Sequence, residues 1–147
     1  MKTIWSADAR DALLRRIDRV ESISKPRWGG FNAERMLAHL TQSMKMAVGD
    51  LKTVPKKLPI RFFPLKQLIV YVFPFPKGAP TAPELLAGAA VPVEGAKSEL
   101  KELIKRVGAL GADHEFNHHP AFGRLSRRAW GALSHKHIDH HLRQFGV

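Results

Sequence analysis

Proline decides which architectures are open to this chain. Eight of its ten prolines (Pro55, Pro59, Pro64, Pro74, Pro76, Pro80, Pro83 and Pro92) fall between Val54 and Pro92. Proline lacks the N–H a helix needs, and its ring clashes with the preceding turn, so no long helix crosses this stretch. It reads as a long crossover with short helical pieces at most. One such piece is Pro64 to Val72, with Pro64 in the first turn and Leu65, Leu68, Ile69 and Val72 behind it. Phe62, Phe63, Tyr71, Phe73 and Phe75 make the crossover strongly apolar. Three readings fit: it lines a substrate pocket, it faces a partner or a membrane, or it covers the core of the helices around it.

The flanks carry helical periodicity instead. A first helix, capped by Ser6 or Asp8, is expected to run to about Ser22, with Leu13, Leu14, Ile17 and Val20 as its apolar stripe. Lys25 to Gly30 is a loop, in which Trp28 is expected to pack over a helix end. Asn32 caps a second helix, Ala33 to Val48, which Gly49 stops. The third long helix spans Glu94 to Leu110, with Leu100, Leu103, Ile104 and Val107 inward and Gly108 or Gly111 as the stop. The last runs from a Ser126 cap to Phe145, ended by Gly146. Four helices and one long crossover over 147 residues predict a single all-α domain, a four-helix bundle spanning 1–147. Period-2 alternation from Ile69 to Phe75 is the one hint of a strand.

Histidine supplies the chemistry. There is no cysteine, so thiolate metal sites and thiol nucleophiles are excluded, and any metal falls to His, Asp, Glu or water. Four of the eight histidines lie between His135 and His141. At about 100° per residue, Trp130, His137 and His141 share one narrow stripe of the last helix. His135 lies off that face, His140 at its edge, and Asp139 on the opposite side. Two imidazoles one turn apart on a buried face form a ready two-nitrogen chelate. His39 sits on the inward face of the second helix with Met36, Ser43 and Met46. If the second and last helices pack together, His39 meets His137 and His141, the way bundles build metal sites from facing helices.

The charge is high, +11, and six cations (Lys52, Lys56, Lys57, Arg61, Lys66, Lys77) with no acid lie between Leu51 and Pro83. That balance invites an anionic partner. No nucleic-acid signature accompanies it, so a soluble basic surface is the simpler expectation and nucleic acid is not the expected partner. The N-terminus lacks the apolar region of a signal peptide, and Leu68 to Pro76 is too short and proline-rich to span a bilayer. A cytoplasmic protein is expected.

Three pieces of sequence carry a resemblance to a known family. They are Met36-Leu37-Ala38-His39-Leu40, the segment His119-Pro120-Ala121-Phe122-Gly123-Arg124-Leu125-Ser126, and Trp130-Gly131-Ala132-Leu133 followed by Lys136 to Gly146. The His137-x-x-His140-His141-x-x-Gln144 pattern is the most specific of them. Together they resemble the DinB-like (DinB/YfiT) superfamily of metalloenzymes, in particular a branch of small bacterial proteins with no assigned reaction. The resemblance implies a four-helix bundle holding nickel, zinc or a similar divalent ion, with ligands His39, His137 and His141 and open positions filled by water. Some members of the superfamily are thiol-dependent transferases using bacillithiol, mycothiol or glutathione.

Three neutral imidazoles would leave such an ion its full charge and an open position for activating water or a thiol. The basic crossover would attract an anionic thiol cosubstrate. Residues with candidate roles around the ligands are His119, which has the edge over His118 and Asp113 by its place in the His-Pro-x-Phe-Gly piece, His140 at the rim, and Gln144 behind the ligands. Two function classes stay open. One is a metal-dependent transferase or hydrolase acting on a small molecule. The other is a non-catalytic module that binds an anionic partner or nucleic acid through its basic surface. A homodimer through an exposed helix face or the aromatic crossover is compatible with either.

Overall fold

The computed structural model describes residues 1–78, 81–88 and 91–147, and those residues are all-helical, with no strand among them. Five helices follow one another: α1 (Ala7–Asp18), α2 (Ala33–Val48), the short α3 (Leu65–Gln67), α4 (Val93–Gly108) and α5 (Arg127–Gln144). α3 runs directly into a π-helical turn, Leu68–Val72, and 3-10 turns at Pro59–Arg61 and Pro83–Leu85 lie on either side of it in the crossover from α2 to α4. The alternation from Ile69 to Phe75 therefore produces helix followed by extended chain, not a strand. Pro80 lies outside the described residues.

Local signals explain both ends of α2 and of α5. The Asn32 side chain accepts a hydrogen bond from the N–H of Arg35, and Gly49 closes α2 with φ of 95°. Ser126 does the same for the N–H of Ala129 at the start of α5, and Gly146 follows that helix at φ 78°. Both caps satisfy orphan amides, and both glycines take up a left-handed conformation that a side chain resists. α1 stops at Asp18, four residues short of the expected end. The cause is Lys97 of α4, buried, whose Nζ donates to the carbonyls of Asp18 (3.1 Å) and Val20 (3.0 Å). An ammonium on those carbonyls competes with the amides that would continue the helix, and a cation is favoured at that end of the dipole.

Packing follows the apolar stripes. α2 lies against α4 and α5, and α1 lies against the same two helices. Leu13 and Ile17 of α1, Met36, Leu37, Leu40 and Met44 of α2, Leu100 and Ile104 of α4, and Ile138 and Leu142 of α5 are all 1% exposed or less. Each such side chain contributes roughly 1.5–3 kcal/mol over its exposed form, so this core is the main force holding the helices together. The crossover adds Val70 and Leu85 to it.

α5 is enclosed more widely than one stripe. His135, which helical phase alone turns away from the buried face, is only 9% exposed. Asp139 faces α1, where it pairs with Arg16 at 2.6 Å, and it also pairs with Arg143 at 2.9 Å. Two neighbours, α2 and α1, cover two sides of the helix, and a single-stripe reading sees only one. The chain ahead of α1 closes on α5 as well. The N–H of Ile4 donates to the carbonyl of Gly131 at 3.0 Å, and the indole N–H of Trp5 donates to that of Arg127 at 2.9 Å.

A Cβ at Gly131 would collide with the Trp5 indole, whereas one at Gly95, exposed in the first turn of α4, would meet open space. Gly131→Ala is therefore expected to destabilise the fold by about 1–3 kcal/mol, as overpacking does. Gly95→Ala should stabilise it by about 0.5–1 kcal/mol through helix propensity. Urea unfolding of the two variants separates these signs; similar midpoints would mean that Trp5 does not pack on α5 as described.

Candidate metal centre

α2 carries His39 on the side that meets α5, and α5 carries His137 and His141 one turn apart on the side that meets α2. The three ring centroids form a nearly equilateral triangle, with sides of 4.8, 4.9 and 4.9 Å. The Nε2 atoms of His39 and His137 approach to 2.9 Å. One ring nitrogen from each residue lies within 4.8 Å of the other two. No Asp or Glu joins this group among the described residues.

The hydrogen bonds behind the rings fix which nitrogens face inward. His39 Nδ1 lies 3.2 Å from the carbonyl oxygen of Leu85. A carbonyl only accepts, so Nδ1 carries the proton and Nε2 of the neutral ring is left with a lone pair. His141 Nδ1 lies 2.8 Å from Gln144 Oε1, and the Gln144 amide nitrogen donates to the carbonyl of Trp28 at 2.6 Å. That second bond orients the amide, so Oε1 accepts from His141 Nδ1–H and His141 Nε2 also presents a lone pair. Histidines that ligate metals are typically tied in this way through their other nitrogen.

Burial keeps the rings neutral. It pulls the His39 imidazole below its usual range, against the opposing pull of the Leu85 hydrogen bond. His141 falls to about 3, chiefly by burial and then by the neighbouring His39. Burial, with the charges of His39 and His141 next, pushes His137 well below its ordinary value. The apolar walls are aromatic: Phe31 stands 5.4 Å from His39 and 5.8 Å from His141, and Phe75 stands 6.0 Å from His137.

This donor set suits a divalent ion. Neutral imidazole is a good ligand for zinc, nickel, copper and iron. Nitrogens bound at roughly 2.0–2.1 Å to one tetrahedral ion lie about 3.4 Å apart, so small side-chain rotations bring the three onto one centre. The trio of the sequence reading therefore converges in space, and its geometry is compatible with a divalent metal.

The other candidates divide. Gln144 is buried and holds His141, as described. His140 is half-buried at the rim, its ring 5.2 Å from that of His141 and 5.7 Å from Trp28. His119 is held in a tight turn: its N–H donates to the Gly123 carbonyl at 2.9 Å, Gly123 returns the bond at 2.8 Å, and Gly123 has φ of 67°. Its Nδ1 accepts from the N–H groups of Ala121 and Phe122 at 3.2 and 3.3 Å. That leaves the proton of the neutral ring on Nε2, and burial lowers the pKa to about 4. His119 shares with His137, Ser43, Trp130 and Ser134 the lining of a cavity of about 20 Å³, room for one water-sized group. His118 and Asp113 are exposed, and no hydrogen bond ties either to the three histidines.

Several neighbours of the site have no sequence signal. The carbonyls of Leu85 and Trp28 act through the backbone, which any residue carries. Phe31 and Phe75 come from loops whose course periodicity does not give. Lys136 fixes one of these loops, because its Nζ donates to the carbonyls of Ile69 (2.7 Å) and Phe73 (2.9 Å). The crossover is thereby held beside His137. Trp28 does pack on a helix end, against the last turns of α5.

Residues 5–146 match the model of a family described as a protein of unknown function (DUF1569). Neither a curated protein nor a solved structure matches the chain. The match takes in all four long helices, the crossover and the three converging histidines, and the chain belongs to the DUF1569 family.

Proposed function

We propose that His39, His137 and His141 are the ligands of a catalytic divalent ion, nickel, zinc or similar, in a single-domain four-helix bundle of the DinB-like kind. On this reading the chain is a metal-dependent enzyme, a thiol-dependent transferase or a hydrolase acting on a small molecule. The observation that carries the reading is the pair of Nδ1–H tethers, to Leu85 and Gln144, which turn two Nε2 lone pairs toward a third imidazole. Three protein donors with no carboxylate among them fit a catalytic site better than a structural one, which closes with four. A divalent ion in such a setting supplies Lewis acidity, lowering the pKa of a coordinated water or thiol toward neutrality.

The chain's own residues would do the rest. Phe31 and Phe75 exclude water from the imidazoles. Leu85 and Gln144 hold two of the rings in the ligating tautomer. His119 keeps a proton on Nε2 and borders the same cavity as His137, so it is the residue best situated to pass a proton to a reacting group. The cations of the crossover raise the local concentration of an anionic substrate or thiol such as glutathione.

Elemental analysis of purified protein reloaded with nickel, zinc or manganese is expected to find close to one ion per chain. His39→Ala, His137→Ala and His141→Ala should each lose it, while His135→Ala, equally buried but facing away, keeps it. Wild-type protein that retains no ion after reloading would sink the proposal. Gln144→Ala should keep its helical circular dichroism and bind the ion about 10–100-fold more weakly, the usual cost of losing a ligand's hydrogen-bond partner. Unchanged affinity would mean that Gln144 does not position His141. A thiol-cosubstrate screen on the loaded protein then tests the reaction class.

A further inference from the structure

The segment of the crossover from Leu65 to Val72 carries apolar side chains both inward and outward, with Lys66 and Gln67 as its polar residues. Inward, Val70 is fully buried; outward, Leu65 is 44% and Val72 65% exposed. The flanking residues extend the outer side, with Phe62 at 65%, Phe63 at 81% and Phe73 at 53%. A contiguous exposed apolar patch marks a contact surface. Leu51 to Pro83 holds six cations and no acid; Glu84, next in the chain, accepts from the N–H of Val54. The Arg61 guanidinium stands 5.9 Å from the Phe62 ring. Lys66 donates to the carbonyl of Arg124 at 3.3 Å, and those two residues border a cavity of about 220 Å³ beside the patch.

We propose that this face docks on an anionic lipid surface. Phe62, Phe63, Leu65, Val72 and Phe73 enter the boundary between headgroups and acyl chains, and the surrounding lysines and arginines meet the phosphates. Charge selects this occupant over a second copy of the chain. A twofold contact would set the same six cations against themselves, with only Glu84 at the edge of the segment to offset them. An anionic leaflet meets both demands together, taking up apolar area and pairing with the cations. Just beyond this segment the crossover reaches Phe75, which stands 6.0 Å from His137, so docking brings the candidate metal centre toward the lipid surface. The proposal does not depend on the metal.

The test is co-sedimentation of the full chain with vesicles. At about 100 mM salt, wild-type protein is expected to sediment with phosphatidylcholine vesicles containing about a third phosphatidylglycerol, and to stay in solution with pure phosphatidylcholine. Phe62→Ser with Phe63→Ser, and separately Lys56→Glu with Lys57→Glu, should each lower the partition coefficient about tenfold or more, since binding scales with apolar area and with charge. Circular dichroism and metal content, unchanged in both, show that the fold and the centre survive. Wild-type protein that stays in solution with anionic vesicles overturns the proposal. So does unchanged partition in both folded double variants, and so does a wild-type dimer in sedimentation velocity that Phe62→Ser with Phe63→Ser dissolves.

Discussion

Packing three imidazoles into one place, His39 and His141 buried and His137 partly so, is the constraint from which much of this molecule follows. A buried polar nitrogen without a partner costs on the order of 1–3 kcal/mol, and three rings bring six such atoms between two helices. Neutrality removes the larger penalty of a buried charge, which is why desolvation pulls all three below the usual imidazole range. The remaining nitrogens still need donors or acceptors. The carbonyl of Leu85 and the amide of Gln144 meet two of them, and His39 and His137 meet nitrogen to nitrogen at 2.9 Å. That last contact needs a shared proton or a cation between the rings, because two bare lone pairs repel.

These requirements reach well beyond the two helices. Leu85 belongs to the 3-10 turn Pro83–Leu85, so the His39 tether holds the far end of the crossover against α2. Gln144 reaches the carbonyl of Trp28, so the His141 tether holds the loop between α1 and α2 against the end of α5. Lys136 grips the crossover at Ile69 and Phe73. Two segments without long helices thus gain fixed positions from side chains of α5. Lys97 and Lys101 on the end of α1 and Arg16 on Asp139 hold α1 to α4 and α5 away from the histidines.

How much of this is legible in the sequence depends on how local its cause is. Asn32, Gly49, Ser126 and Gly146 act within a turn of their own positions, and the ends of α2 and α5 lie where those residues put them. The end of α1 is set by Lys97, nearly eighty residues away, and no local pattern announces it. The convergence of His39, His137 and His141 is legible because helical phase puts each on an inward face. The burial of His135 is not, because phase identifies the most apolar side of α5 and says nothing of a second neighbour on another side. Gln144 can be read from its spacing to His141. The carbonyls of Leu85 and Trp28 cannot, since a backbone acceptor has no residue type.

The crossover shows best why composition alone leaves a segment open. Its inner residues are accounted for: Val70 joins the core, Leu85 orients His39, and Phe75 shields His137. None of these duties concerns the outer side. Polar residues at 62, 63, 72 and 73 would leave the core, the tether and the shield untouched and would remove the cost of showing aromatic rings to water. Proline limits helix formation in the segment but places no demand on which residues face outward. The core therefore does not explain the exposed phenylalanines, and neither do the three histidines. The proposed lipid surface would explain them, because it meets apolar area and positive charge on the same face.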